Sequence, residues 1–322
     1  MFPQRADLTI QFSHIAYQFE KQFALRDMGI GNYSTWSPEE TSDRISEADI
    51  IVATGFWQND LLDKASRLKL IQVAGAGYDQ FDINAIQSKG IRMVNGRGVN
   101  ANAVAEHAMA LILGISRQTH LARDAQRQKI WRGMNPDLNT REEELNGKKM
   151  LIIGAGQIGA KIATISKAFG IHTTGMRRDI TQIDSSFDAS HPITHKLEQL
   201  SEADIVVLCC PLTPETKGLI DKTALAAMKN SACLINVARG GCVIEDDLVD
   251  ALKRGKIAAA GIDVTDPEPL LESSSLWTME NVLLTPHTGG ETRLYEDNVL
   301  DILIENIGRL ERGEADLLNQ IV

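Results

Sequence analysis

Short apolar runs alternate with helix-period segments along most of the chain. Near the N-terminus, LTIQF (8–12), ADIIVAT (48–54), LKLIQVAG (68–75) and IRMVNG (91–96) are almost continuously hydrophobic. Runs with so little polar alternation suit strands of a parallel sheet covered on both faces. A helical pattern follows from about Ala101 to Lys129, with Asn100 or Asn102 placed to cap it. KMLIIGAG (149–156) then opens a second alternating series, continued by IHTTG, DIVVLCC, CLINVA, AAAGIDV and VLLTP. Two such series predict two doubly wound α/β domains with parallel sheets. The stretch from about Glu291 is helical again, too short for a third domain, and expected to pack back on the first.

Composition narrows the function classes. A chain of 322 residues can bury two cores, and 43% hydrophobic with 24% charged residues is ordinary for a globular protein. A net charge of −10 argues against general binding to nucleic acid or to an anionic membrane, while allowing a local basic pocket. No apolar run reaches the roughly 18 residues that span a bilayer. The N-terminus lacks the basic-then-apolar pattern of a secretory signal. Cys209, Cys210, Cys233 and Cys242 lie in or beside apolar runs without metal-ligand spacing. They read as reduced core thiols of a cytoplasmic protein, and no metal site is expected.

The chemistry is expected beyond the carboxyl ends of the strands, where parallel sheets bind ligands. After MLII the chain has Gly154, Gly156, Gln157, Ile158 and Gly159, a GxGxxG turn between a strand and an amphipathic helix. Its glycines permit a tight turn and a close approach to pyrophosphate, and the helix N-terminus favours the negative charge. About twenty residues on, such units usually offer an acid to the adenine ribose. Here the strand ends in Met176, Arg177 and Arg178, with Asp179 one residue further. An arginine cannot accept from ribose hydroxyls but can bind a 2′-phosphate, so NADP(H) is expected over NAD(H), with NAD(H) still possible. The alternative has Arg177 and Arg178 as solvated charges and Asp179 on the ribose.

Three later strands are each followed by a polar residue: Arg239 after CLINVA, Glu268 after AAAGIDV, His287 after VLLTP. Asp263 stands inside the strand end before Glu268. Arginine can hold a carboxylate by two parallel hydrogen bonds. Histidine can exchange a proton near neutral pH, and a carboxylate beside it orients the ring and favours the imidazolium. With a hydride carrier these groups make a set for alcohol–carbonyl redox chemistry. In the first domain, Gly75, Ala76 and Gly77 can turn backbone N–H groups toward a carboxylate. Phe56 and Trp57 follow ADIIVAT and either wall a substrate pocket or pack between the domains.

Taken together, AGAGYDQFD, VNANAVAEHAMALIL, IIGAGQIGAKIA, PLTPETKGLID, NVARGGCVIEDDLVDAL, GIDVTDPEPL and LTPHTGG resemble the D-isomer-specific 2-hydroxyacid dehydrogenase family, from about Leu68 to Thr292. The resemblance implies Arg239 as carboxylate anchor, His287 as acid/base and Glu268, 19 residues before it, as the histidine's partner. It implies cofactor contacts from Pro211, Thr216, Val237, Ala238, Asp263 and Gly289, with Asp263 on the nicotinamide carboxamide. It implies a Rossmann dinucleotide-binding domain, residues 100–286, inserted in a discontinuous flavodoxin-like substrate domain, residues 1–99 and 287–322. It implies closure of the domains over the substrate. A homodimer is expected through the long helix and the following arm, where Val104 and Trp131 lie. DVTDPEPL and GMRRD look most like the glyoxylate/hydroxypyruvate reductase branch, which favours a small polar 2-oxo acid. A bulkier 2-hydroxy acid or 3-phosphoglycerate remains open, as does a dinucleotide-sensing corepressor-like protein.

Overall fold

The computed structural model describes residues 3–178 and 185–322, and it divides the chain into two compact units. The first comprises Met1–Asn100 and Thr292–Val322, the second Ala101–Glu291. The second boundary falls later than the expected 286/287. His287 to Glu291 stay with the second unit because the N–H groups of His287, Thr288 and Gly289 all donate to Asp263.

The first unit is built on strands β1 (Thr9–Ser13), β2 (Gly31–Thr35), β3 (Ile50–Ala53), β4 (Leu70–Val73) and β5 (Arg92–Val94). They form one parallel sheet in the order β2-β1-β3-β4-β5. β3 and β4 are buried along their whole length, Gln72 of β4 included, as strands covered on both faces are. The helix Tyr295–Glu311 buries Tyr295, Val299, Leu300, Leu303 and Ile307 in the same core as Ile10, Phe12 and Phe23. The final residues return to the sheet, where Ile321 N–H donates to Met93 O.

The second unit carries β6 (Lys149–Ile153), β7 (His172–Arg177), β8 (Ala189–Pro192), β9 (Ile205–Leu208), β10 (Cys233–Asn236), β11 (Ala259–Ile262) and β12 (Val282–Leu284). Its parallel sheet runs β12-β11-β10-β9-β6-β7-β8. Hydrophobic clusters cover the two faces, one around Val206, Leu234 and Ile262 and one around Ile152, Val207 and Ile235. Both units are therefore doubly wound α/β folds, the second with the Rossmann arrangement.

The long helix expected from Ala101 to Lys129 is two helices, Ala101–Ser116 and Thr119–Arg127. Gln118 between them is left-handed, at φ 51°. The Ser116 carbonyl there accepts from Glu143 N–H, and His120 closes on Gly114 O and Glu280 O. Tertiary partners thus replace the helical bonds that sequence periodicity alone would continue. Among the described residues no helix is long and apolar enough to cross a membrane.

Candidate active site

Strands β10, β11 and β12 are neighbours, so the loops leaving their carboxyl ends are neighbours too. Two glycines set how closely these loops approach. A β-carbon on Gly240 would lie 2.0 Å from the carbonyl carbon of Thr265, and one on Gly289 would lie 2.7 Å from Asp263 Oδ2. Side chains are thereby excluded where Arg239's loop meets that of Glu268, and where His287's loop meets Asp263.

His287 Nδ1 is 2.7 Å from Glu268 Oε2. The other oxygen, Oε1, accepts from Thr265 N–H at 3.1 Å, which fixes the carboxylate against its own loop. A carboxylate at Nδ1 holds the ring with its proton on that nitrogen and leaves Nε2 for a reacting group. Nε2 makes no hydrogen bond among the described residues, and the imidazole is 44% exposed. The backbone at His287 is left-handed, φ 55°, and is held there by the bond from its N–H to Asp263 O at 2.8 Å. Arg239 is exposed and extended. One guanidinium N–H donates to Ala238 O at 2.7 Å, and the group makes no ion pair among the described residues. A fork with donors in hand and no carboxylate partner is suited to an anionic ligand.

Asp263 organises this region from within. It is 4% exposed, and its Oδ1 accepts from Thr285 Oγ1 at 2.6 Å and Thr288 N–H at 3.0 Å. Oδ2 accepts from Gly289 N–H at 3.0 Å. His107 Nε2, from helix Ala101–Ser116, lies 2.8 Å from Thr285 Oγ1 and 3.3 Å from Asp263 Oδ1. Burial alone would push this carboxyl up, but the bonds from His107, Thr285 and Gly289 outweigh it and bring the pKa to about 2. His107 escaped the sequence reading. Its only signal there was a histidine on the inward face of an otherwise apolar helix.

The glycine turn after β6 fits a dinucleotide. Gly154 has φ 114°, and a β-carbon on it would lie 2.6 Å from Cys210 N. One on Gly159 would lie 2.4 Å from Gly154 O, whereas Gly156 faces space with no heavy atom within 4 Å. Gly156 caps helix Gln157–Lys167, whose first-turn N–H groups at Gln157, Ile158 and Gly159 have no intrahelical acceptor. Open space before free donors and a positive helix end is what a pyrophosphate needs. Arg177 closes β7 half-buried and Arg178 follows it exposed, while Asp179 lies outside the described residues. Thr216 Oγ1 donates to Pro211 O and accepts from Thr213 N–H, both at 2.7 Å, so its hydroxyl shapes the loop. Val237 and Ala238 are buried. Cys209, Cys210, Cys233 and Cys242 are free thiols, and burial pushes Cys209 and Cys233 up to about 12. Among the described residues no group of His, Cys, Asp and Glu could hold a metal ion.

In the first unit, the carbonyls of Ala74, Gly75 and Ala76 are tied back by Tyr295 Oη, Gly96 N–H and Asn95 Nδ2. The N–H groups of Gly75, Ala76 and Gly77 donate to no acceptor among the described residues. The turn therefore presents donors alone. Phe56 is half-buried, but Trp57 is in the core, stacked 5.1 Å from Phe81 with its Nε1 donating to Asn59. Trp57 therefore packs inside the core of its own unit and does not wall a pocket. Val104 is likewise a core residue, whereas Trp131 is 97% exposed.

Residues 109–289 match the family model for the D-isomer specific 2-hydroxyacid dehydrogenase, NAD binding domain. The chain is 34% identical to a D-3-phosphoglycerate dehydrogenase of Methanocaldococcus jannaschii over 86% of its own length and 52% of that protein's, so it spans about half of that relative. It is 31% identical to a hydroxypyruvate reductase of Blautia hydrogenotrophica, covering 85% of this chain and 86% of that one. A crystal structure of a D-isomer specific 2-hydroxyacid dehydrogenase family protein from Aeromonas salmonicida superposes with a TM-score of 0.83 at 28% identity, covering 98% of this chain and 99% of that one.

Proposed function

Because this chain belongs to the D-isomer specific 2-hydroxyacid dehydrogenase family, we propose that it reduces a small 2-oxo acid of the glyoxylate or hydroxypyruvate kind to the D-2-hydroxy acid. The observation that carries this reading is the 2.7 Å contact of His287 with Glu268, one strand away from an arginine that makes no ion pair among the described residues. When bound, a reduced nicotinamide dinucleotide supplies the hydride for C2. Gly154, Gly156, Gln157, Ile158 and Gly159 would hold its pyrophosphate, with Pro211, Thr216, Val237, Ala238, Asp263 and Gly289 around it. Arg239 grips the substrate carboxylate by two charge-assisted bonds. By itself, the turn at Ala76 and Gly77, whose N–H groups have no acceptor among the described residues, is suited to a carboxylate. His287 gives its Nε2 proton to the oxygen on C2 as charge develops there, and Glu268 stabilises the ring in both protonation states.

The cofactor is NADP(H) in preference to NAD(H), since Arg177 and Arg178 end the strand where an acid would serve the ribose. A second copy of this chain covers Ile130, Trp131, Met134 and Leu138, which are 56%, 97%, 101% and 75% exposed in one short stretch. Four free cysteines suit a cytoplasmic setting.

The test is to follow oxidation of NADPH and NADH with glyoxylate, hydroxypyruvate, pyruvate, 2-oxoglutarate and phenylpyruvate. Turnover should be fastest with NADPH and the smaller polar acids, and the product should be the D enantiomer. Failure to oxidise either cofactor with any of them would refute the reading, and a preference for phenylpyruvate would refute the assignment to small acids.

A further inference from the structure

The carboxyl ends of β11 and β12 are bridged by a side chain that belongs to neither strand. Ile262 pairs with Leu284, so Asp263 and Thr285 leave the sheet side by side. Helix Ala101–Ser116 lies close against these strands because two glycines make room for it. A β-carbon on Gly261 would lie 3.1 Å from Leu111 Cβ, and one on Gly114 would lie 2.8 Å from Leu283 Cδ2. His107 stands one turn before Leu111 and shares its face, which carries the imidazole to the two strand ends. The ring also packs on the following loop, where a β-carbon on Gly289 would lie 3.1 Å from His107 Cδ2.

The contacts allow one assignment of protons. Asp263, with a pKa of about 2, is ionised, and a carboxylate only accepts. The Thr285 hydroxyl therefore gives its single hydrogen to Asp263 Oδ1, at 2.6 Å. What remains to that oxygen is to accept, so His107 Nε2, 2.8 Å away, is the donor. The same Nε2 is 3.3 Å from Asp263 Oδ1. His107 thus carries its proton on Nε2, the reverse of His287, whose Nδ1 faces Glu268.

Asp263 and Thr285 in turn hold the backbone of His287. Its N–H is shared between Asp263 O at 2.8 Å and Thr285 O at 3.1 Å. A histidine stays at φ 55° only where its surroundings impose that conformation, and these two bonds do so. The direction of the imidazole follows from the backbone that bears it.

Resting on the function proposed above, we infer that His107 is a positioning residue for the reaction: by bonding Thr285 and bracing Asp263 it sets the aim of the His287 imidazole. It exchanges no proton with the substrate itself. Without its N–H, the Thr285 oxygen keeps an unfilled acceptor and Asp263 loses a donor. His287 is then free to leave the left-handed region, which draws Nδ1 away from Glu268. Carboxylate binding is spared, because Arg239 stands on the loop after β10.

The experiment measures kcat and KM for hydroxypyruvate in the wild type, His107→Leu, His107→Gln, Thr285→Val and the double variant with Leu at 107 and Val at 285. His107→Leu fills similar space without a donor, and should lower kcat roughly tenfold while KM stays within about twofold. His107→Gln offers an N–H near the place of Nε2 and should recover most of kcat. Thr285→Val should show the same split. The double variant should lose no more than the worse single one, because the two residues act in series. Wild-type kcat in His107→Leu, a Gln variant no better than the Leu variant, or losses that multiply in the double variant would each overturn the inference. If circular dichroism shows His107→Leu unfolded, wild-type kcat in Thr285→Val overturns it instead. A second readout needs no turnover. Proton–nitrogen correlation spectra of cofactor-free protein carrying nitrogen-15 histidine should show His107 Nε2 protonated, the signal being assigned by its absence in His107→Gln. An unprotonated Nε2 also overturns the inference. A wild type that reduces no 2-oxo acid sinks the proposed function and this inference with it, whereas an active wild type matched by His107→Leu sinks this inference alone.

Discussion

Gly240 is packed against the backbone of Thr265 so closely that a methyl group at 240 would fall 2.1 Å from the Thr265 carbonyl oxygen and 2.5 Å from Asp266 N. Backbone cannot swing aside as a flexible side chain can. Gly240→Ala should therefore part the loop of Arg239 from the loop of Glu268. Overpacking of this kind costs about 1–3 kcal/mol. The expected result is a lower urea midpoint, together with a fall in kcat/KM larger than the stability loss accounts for. Wild-type values for both would show that the two loops tolerate separation.

Removing the imidazole tests the proton donor. His287→Ala should lower kcat by roughly 10²–10⁴-fold while cofactor binding, read by quenching of intrinsic fluorescence, persists. Glu268→Gln retains a group of the same shape without the charge that favours imidazolium, and should give a smaller loss. Near wild-type turnover in His287→Ala would take His287 out of the reaction.

Arg177 is the position at which the proposed cofactor preference is tested. A charged hydrogen bond contributes roughly 1.5–3 kcal/mol, or about ten- to hundredfold in affinity. Arg177→Asp should lose that much with NADPH and gain with NADH, because an acid there can accept from ribose hydroxyls. Equal or better kcat/KM with NADH in the unaltered protein would contradict the assignment.

Asp263 should leave a mark on acid stability. Its folded pKa of about 2 lies below the usual aspartate value near 4, so the folded state binds this proton less tightly than the unfolded chain. The resulting stabilisation is complete above that usual value and disappears as the pH falls from about 4 to about 2. Asp263→Asn should be less stable than wild type at pH 7, and the gap should narrow across that window. Denaturation midpoints that stay a constant distance apart from pH 7 to pH 2 would refute this.

Much of the fold was legible because buried parallel strands have a plain signature. Ten of the twelve strands among the described residues coincide with the runs singled out in the sequence. The two that escaped, β2 and β8, are the outer strands on one side of each sheet. Both are polar and only partly covered, as GNYST and ASHP show, so neither has a hydrophobic run to find. At the candidate site, Arg239, Glu268 and His287 stood out because each lies in the loop that leaves the carboxyl end of a strand. The web under them did not, because it is made between segments far apart in sequence: His107, Thr285 and Asp263 meet only once the sheet is formed. Trp57 illustrates the converse, since a large aromatic after a strand looks the same in sequence whether it faces a ligand or Phe81.

The positive φ of His287 limits what else that position can accommodate. An L-residue with a branched β-carbon is strained in the left-handed region, whereas Asn, Asp and Gly enter it readily. Natural relatives that have abandoned the imidazole should thus be found with asparagine or glycine there, and seldom with valine, isoleucine or threonine. The folding demand on that site filters its evolutionary options before chemistry does.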